Sequence, residues 1–388
     1  MGGMGLREVI VARGHANGLD AVGICEASPF TGTRQDLEQR RAAGLNADME
    51  FTYRNPERST DPSRTLAGAR SLVVGAVRYA SRSSDDDPPD AAAPVEPTPA
   101  GRVARYAVGD QDQVLRRALD SVASDLRHAG FRTVVLSDDN ALVDRAAAHR
   151  AGIGWFGKSA NLLLPGRGSW FVLGAVLTDA DLPTSSGPVA DGCGACRRCL
   201  DGCPTQAIVA DGVVDARRCL SWLLQSPGAF PHEFRDALGD RIYGCDDCQE
   251  VCPPNRLADR RLDGPQPGVA AGTGRIDLRW MLEADDDELM AATRRWYVPG
   301  RDPDHLRRNA LVVLGNTADG GDAAALGLLR RFLRHRDDNL AAHAAWAALR
   351  LGRSDLLDDA EVRIRPPVVD ERDRWHAPLA ADPVRETG

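Results

Sequence analysis

The sequence predicts an α+β chain of several domains. Three observations carry that expectation. Short apolar runs of strand length alternate with amphipathic stretches up to residue 182. A cysteine-rich run then occupies Cys193 to Cys252, and alanine- and leucine-rich helical segments fill the C-terminal third. With 388 residues, 43% of them hydrophobic, the chain can build two or three cores. The expected boundaries are 1–182 for an α/β domain, 183–262 for a cysteine module, 276–365 for a helical domain and 366–388 for a mobile tail.

In chain order, Leu6 to Asn17 reads as an amphipathic helix and Leu19 to Cys25 as a buried strand, with Cys25 a small core residue. An arginine-dense stretch, Arg54 to Pro62, precedes the apolar strand Ser71 to Tyr79, and Arg58 in it is a candidate for an anion or cofactor contact. Residues 81–101, rich in Asp, Ala and Pro, read as a flexible insertion. A helix from Gln113 to Ala129, a strand from Thr133 to Leu136 and a helix from Ala141 to His149 follow. Ala151 to Leu164 then holds Gly152, Gly154 and Gly157, which permit close backbone approach to a ligand, beside Lys158, Ser159 and Asn161. It is neither a P-loop nor a dinucleotide fingerprint. Gly168 to Gly174 returns to a buried strand.

The cysteine run is the sharpest signal. It reads Cys193-x2-Cys196-x2-Cys199-x3-Cys203-Pro204, then Cys219, then Cys245-x2-Cys248-x3-Cys252-Pro253. The first half has the spacing of a ferredoxin with two [4Fe–4S] clusters, in which the last cysteine of a run ligates the other cluster. Exchanging those last cysteines gives two sets: Cys193, Cys196, Cys199 and Cys252, and Cys203, Cys219, Cys245 and Cys248. Structural zinc usually shows paired C-x2-C knuckles, and disulfides need an oxidising compartment. The expected module is therefore ferredoxin-like, with two [4Fe–4S] clusters.

Pro254 to Arg275 reads as a linker and Ile276 to Trp296 as largely helical. The segments Arg307 to Asn316 and His343 to Gly352 repeat a helix ending in Gly, as in a short HEAT-like solenoid. Arg294, Arg295, Arg301, Arg307, Arg308, Arg330, Arg331, Arg334 and Arg336 gather there and suggest a local phosphate-binding face, against a solvated helical face as the plainer reading. The net charge of −8 excludes a generally basic nucleic-acid binder. No run of eighteen apolar residues spans a membrane, and the N-terminus has neither a secretory nor a twin-arginine pattern, so the expected place is the cytoplasm. Among 48 basic residues the one lysine is Lys158, which singles it out for a specific role.

Taken together these motifs resemble bacterial tRNA epoxyqueuosine reductases. The resemblance rests on Arg54-Asn55, Arg58, Asp61-Pro62, Ala69-Arg70-Ser71, Asp138, Asp144-Arg145, Ala151 to Lys158, Gly168-Ser169, the eight cysteines and Arg308-Asn309 with Leu314-Gly315-Asn316. It implies an α/β cobalamin-binding domain, the two-cluster module and HEAT-like helices that grip tRNA. The implied reaction reduces the epoxide of epoxyqueuosine at the wobble position of the tRNA anticodon stem-loop. The implied cofactors are two [4Fe–4S] clusters and cobalamin, with a flavodoxin or ferredoxin system as electron donor and a monomeric enzyme. The resemblance makes Asp138 the general acid, its pKa raised beside an apolar corrin; Asp139 is the alternative helix cap. Arg58, Asp138, Lys158, Ser159, Asn161, Leu162, Ser169, Leu173 and Ser221 fall where the family lines its cobalamin, Lys158 meeting an anionic corrin group.

The chain departs from the family pattern at Gln111-Asp112-Gln113, Ala141, Ser159 and Trp296 to Gly300. Two other readings use the same residues. A reductive-dehalogenase-like enzyme would be expected to carry a twin-arginine signal and no helical tail. A plain electron-transfer protein leaves Lys158 and Asp138 without a task.

Overall fold

The computed structural model describes residues 5–79, 99–261 and 274–376. Among these, one compact unit takes 5–79, 103–223 and 244–261, and a second takes 99–102, 224–243 and 275–376.

The first unit is built on a four-stranded sheet. Its elements are α1 (Leu6–Ala16), β1 (Ala21–Glu26), α2 (Thr31–Ala42), α3 (Pro56–Thr60), β2 (Ser71–Arg78), α4 (Gln111–His128), β3 (Thr133–Ser137), α5 (Asp144–Arg150) and β4 (Phe171–Thr178). The strands run in the order β1-β2-β4-β3, each pair antiparallel. Register places Ile24 beside Val73 and Val73 beside Val176, so these β-branched residues share one face. That face packs on α1 and α4, where Leu115, Leu119, Val122 and Leu126 recur at helical spacing. Cys25, Leu72, Val74 and Leu177 point the other way, against Ala146, Ala147 and Ala148 of α5. Each fully buried aliphatic is worth roughly 1.5–3 kcal/mol. The sheet is thus a rigid floor for the loops at its ends.

The expected strands stand within four residues of their observed bounds. α5 begins at Asp144 rather than Ala141. The cause is local: Asp139 Oδ1 accepts from the Ala141 amide at 2.8 Å, closing an Asx turn in place of a helical one. The expected linker after Pro254 opens instead as a helix, Pro253–Arg260, with proline at its first position, where a missing N–H costs nothing. Of the expected insertion, Ala100 and Gly101 lie in a strand, Ala100–Val103, because they pair with Arg275–Asp277, and Pro99 precedes it; residues 81–98 lie outside the described residues.

The second unit places that strand between Arg241–Tyr243 and Arg275–Asp277. Its helices are Leu278–Glu283, Asp286–Ala292, Pro303–Thr317, Ala323–Leu333, Asp338–Arg350 and Pro366–His376. Asp285, Asp302, Asp322 and Asp337 each cap the helix that follows by accepting from its first-turn amides. Residues 366–376 of the expected mobile tail are helical. Glu371, 1% exposed, anchors them through an ion pair with buried Arg235 at 3.1 Å; residues 377–388 lie outside the described set.

Several arginines expected on a phosphate-binding face are committed internally. Arg308 is buried and donates to the Ser226 and Gly228 carbonyls at 2.8 and 2.7 Å and to Asn309 Oδ1. Arg307 pairs with Asp286 and Asp304, Arg331 donates to the Leu282 carbonyl, and Arg334 pairs with Asp359. The buried Arg308-Asn309 pair thus holds residues 224–228 in place, since Asn309 also donates to the Leu224 carbonyl at 3.0 Å. Arg294, Arg301, Arg330 and Arg336 stay exposed, as does Tyr297 beside them in sequence.

Candidate active site

Eight thiols dominate the first unit, and none of the nine cysteines is in a disulfide. They fall into two electrostatic groups. Cys252 interacts with Cys193, Cys199 and Cys196, and Cys199 with Cys193 and Cys196. Cys248 interacts with Cys245, Cys219 and Cys203, and Cys219 with Cys203. No three Cys, His, Asp or Glu side chains among the described residues converge as one metal ion requires. Burial pushes the Cys252 thiol up to about 11 and the Cys248 thiol well above its ordinary value, with neighbouring thiols adding to both.

The second group is enclosed by polar contacts. The Ala207 amide donates to Cys203 Sγ at 3.2 Å, and the Trp222 and Ser221 amides point at Cys219. Asn161 Nδ2 donates to Cys248 Sγ at 3.8 Å and to Ser159 Oγ at 3.3 Å. That contact draws the segment 158–161 onto the second thiol group. Ser169 is engaged within the protein. Its buried hydroxyl accepts from Asn255 Nδ2 at 2.9 Å and Gln249 Nε2 at 3.0 Å, while its amide donates to Asn255 Oδ1 at 2.6 Å. Gln249 Nε2 also donates to Tyr79 Oη at 3.1 Å. Ser169, Gln249, Asn255 and Tyr79 therefore lock the cysteine segment to the sheet. Sequence reading missed this network; the one available signal was a glutamine directly after Cys248 and an asparagine after Pro253-Pro254.

Asp138 follows β3 with φ +50°, in the left-handed region that few non-glycine residues adopt. Its side chain is exposed. The loop is held from below, where the buried Ser59 hydroxyl donates to the Asn140 carbonyl at 2.7 Å and the Val143 amide to the Ser59 carbonyl at 3.2 Å. Asp139 is spent on the Asx turn, which leaves Asp138 as the carboxyl that faces outward. Asp144 is the carboxyl that sequence reading undervalued. Its Oδ1 is buried without a hydrogen-bond partner among the described residues. Burial pushes this carboxyl well above the ordinary aspartate range; Arg145 opposes the rise, and Asp138, Asp139 and Asp112 add to it. Asp138 is exposed and Asp144 only partly so, and burial of the Asp144 carboxyl is what raises it.

Two glycines of 151–164 are required by the chain's own packing. A Cβ at Gly154 would lie 2.2 Å from the Leu163 carbonyl oxygen, and one at Gly157 2.3 Å from a Leu163 methyl. Both serve the tight pairing of Trp155–Phe156 with Leu162–Leu163. Lys158 is likewise occupied. Its Nζ lies 3.2 Å from Asp211, and its carbonyl accepts from the Gly212 amide at 3.0 Å, clamping this hairpin to the turn 211–212. Asp211 is exposed, so the ion pair is worth at most about 1 kcal/mol. The Leu162 side chain is packed in the core. Arg58 on α3 is exposed with no ion-pair partner among the described residues, and Leu173 and Ser221 are half-buried.

Residues 192–255 match the family model described as a 4Fe-4S double cluster binding domain. An epoxyqueuosine reductase of Aliivibrio fischeri is 34% identical over 342 residues, spanning 85% of this chain and 87% of the relative. The structure of an epoxyqueuosine reductase with an epoxyqueuosine-modified tRNA-Tyr stem loop superposes at a TM-score of 0.83 and 29% identity, covering 96% of this chain and 99% of that one. A Bacillus subtilis epoxyqueuosine reductase with its catalytic aspartate loop swung out of the active site gives a TM-score of 0.82 at 29% identity, covering 95% and 98%. The chain belongs to the epoxyqueuosine reductase family.

Proposed function

We propose that this chain reduces the epoxide of epoxyqueuosine at the tRNA wobble position to the alkene of queuosine. The substrate takes up two electrons and two protons and releases water. The cofactors are two [4Fe–4S] clusters, one on Cys193, Cys196, Cys199 and Cys252, the other on Cys203, Cys219, Cys245 and Cys248, together with cobalamin. Bound cobalamin supplies a strongly reducing cobalt centre for cleavage of the carbon–oxygen bond.

The observation that carries the reading is the joining of the 158–161 segment to the second thiol group through Asn161 and Cys248. A ligand seated there lies next to an electron source. Arg58, Ser159, Asn161, Leu173 and Ser221 line that seat. The partnerless Oδ1 of Asp144 fits an amide-rich ligand, whose N–H groups supply the donor it lacks. Asp138 holds the proton destined for the leaving oxygen, and its loop is positioned by Ser59.

Residues 1–182 then form the cobalamin-binding domain, 183–262 the ferredoxin-like module, and 276–365 a HEAT-like domain that grips the anticodon stem-loop. We place the enzyme in the cytoplasm as a monomer. After anaerobic reconstitution with iron and cobalamin, Asp138→Asn is expected to lose on the order of 10²–10⁴-fold in turnover on epoxyqueuosine tRNA while keeping both chromophores. Full activity in that variant would remove Asp138 as the acid. Wild-type protein that binds cobalamin yet leaves the tRNA unchanged would move the substrate elsewhere.

A further inference from the structure

The two thiol groups differ in the charges around them. Arg197 and Arg198 sit between Cys196 and Cys199, and Arg256 follows Cys252 on the helix Pro253–Arg260. All three are exposed, and none has an ion-pair partner among the described residues. Arg256 Nε donates only to the Glu250 carbonyl, at 2.9 Å. Near the other group, Lys158 pairs with Asp211, Arg217 with Asp215 at 2.7 Å, and Arg218 donates to the Thr205 carbonyl at 2.9 Å, which leaves Arg145 as the exposed cation acting on Cys219. Free arginines in a chain of net charge −8 form a local positive face. Two carboxylates temper it: Asp191, whose Oδ1 accepts from the Cys193 amide at 2.9 Å, and exposed Asp201. Leu257, 44% exposed beside Arg256, adds an apolar spot of the kind that seats a protein partner.

We propose that an acidic one-electron carrier protein docks on Arg197, Arg198, Arg256 and Leu257 and delivers electrons to the cluster on Cys193, Cys196, Cys199 and Cys252. The proposal rests on the cluster assignment above and adds the entry point and the chemistry of the donor. Gly192, Gly194 and Ala195 are exposed, so a carrier can approach this cluster closely. Tunnelling falls steeply with distance, and the second group is flanked by buried Ala207, Leu220 and Leu223. Each encounter oxidises the carrier by one electron and reduces the cluster by one. Two encounters supply the pair that the epoxide consumes, and the protons come from solvent through the site's acid.

The test is anaerobic stopped-flow reduction of the reconstituted protein by flavodoxin hydroquinone, with dithionite as a small-molecule control. The second-order rate with flavodoxin should fall steeply with ionic strength, and R197E/R198E should lower it about tenfold or more at low salt. Dithionite bleaching should be unchanged in that variant. Arg256→Glu, outside the cysteine loop, should lower the rate in the same direction and guards against a folding defect in the double variant. A flavodoxin rate that ignores both salt and charge reversal overturns the proposal. So does a variant that loses tRNA affinity while accepting electrons normally, which would make the patch an RNA contact. Failure of dithionite to bleach any cluster would instead overturn the cluster assignment itself.

Discussion

Cys193, Cys196 and Cys199 lie in a loop whose intervening residues face solvent, whereas Cys219 and Cys248 lie among buried neighbours such as Leu220, Leu223, Asp246 and Gln249. The same ligand chemistry is thus placed in two electrostatic settings. Burial in the second group disfavours added negative charge and makes a cluster there harder to reduce. The N–H donors from Ala207, Asn161, Ser221 and Trp222 counter that by stabilising sulfur-borne charge. The exposed group has free arginines beside it; the buried one has the sheet, the Asp138 loop and the 158–161 segment. One setting suits electron entry and the other suits electron use.

The contrast can be broken most strongly at Ser169, which fastens the buried group to the sheet. Ser169→Ala removes the acceptor for Asn255 and Gln249 and leaves buried donors underused. Urea unfolding should show a loss of about 1–3 kcal/mol, with cobalamin content retained. Unchanged stability with weakened cobalamin binding would return Ser169 to the role of a cofactor contact. A finer probe is Asn161→Leu, which deletes one N–H···S contact on the buried side only. Redox titration followed by EPR should show the potential of that cluster shifting negative and the exposed cluster holding still. A shift shared by both would mean that the two settings are not separate.

Much of this was legible in the chain, and the limits have physical causes. The grouping of the thiols follows from spacing, because three closely spaced cysteines can reach one cluster and the fourth cannot. Strands such as Ser71–Arg78 announce themselves by continuous apolar character. The ion pair of Lys158 with Asp211 was not legible, since its partner sits in a distant turn and pairing leaves no periodic trace. The rarity of that lysine pointed to a specific role, and the structure pairs it with Asp211. Glycines 154 and 157 make room for Leu163, which sequence alone does not place beside them. The helix Pro366–His376 was masked by its charge, because the buried partner of Glu371 is Arg235, far upstream. Asp138 was reached through family resemblance. The buried acid, Asp144, needed coordinates.

The claim at the centre of this account is that the last cysteine of each run belongs to the other run's cluster. It is tested most directly by Cys252→Ser, reconstituted anaerobically and compared by iron analysis and EPR with Cys196→Ser and Cys245→Ser. The expected result is that Cys252→Ser loses the same signal as Cys196→Ser and keeps the one that Cys245→Ser removes. If Cys252→Ser instead matches Cys245→Ser, each run holds its own cluster and the exchange is wrong.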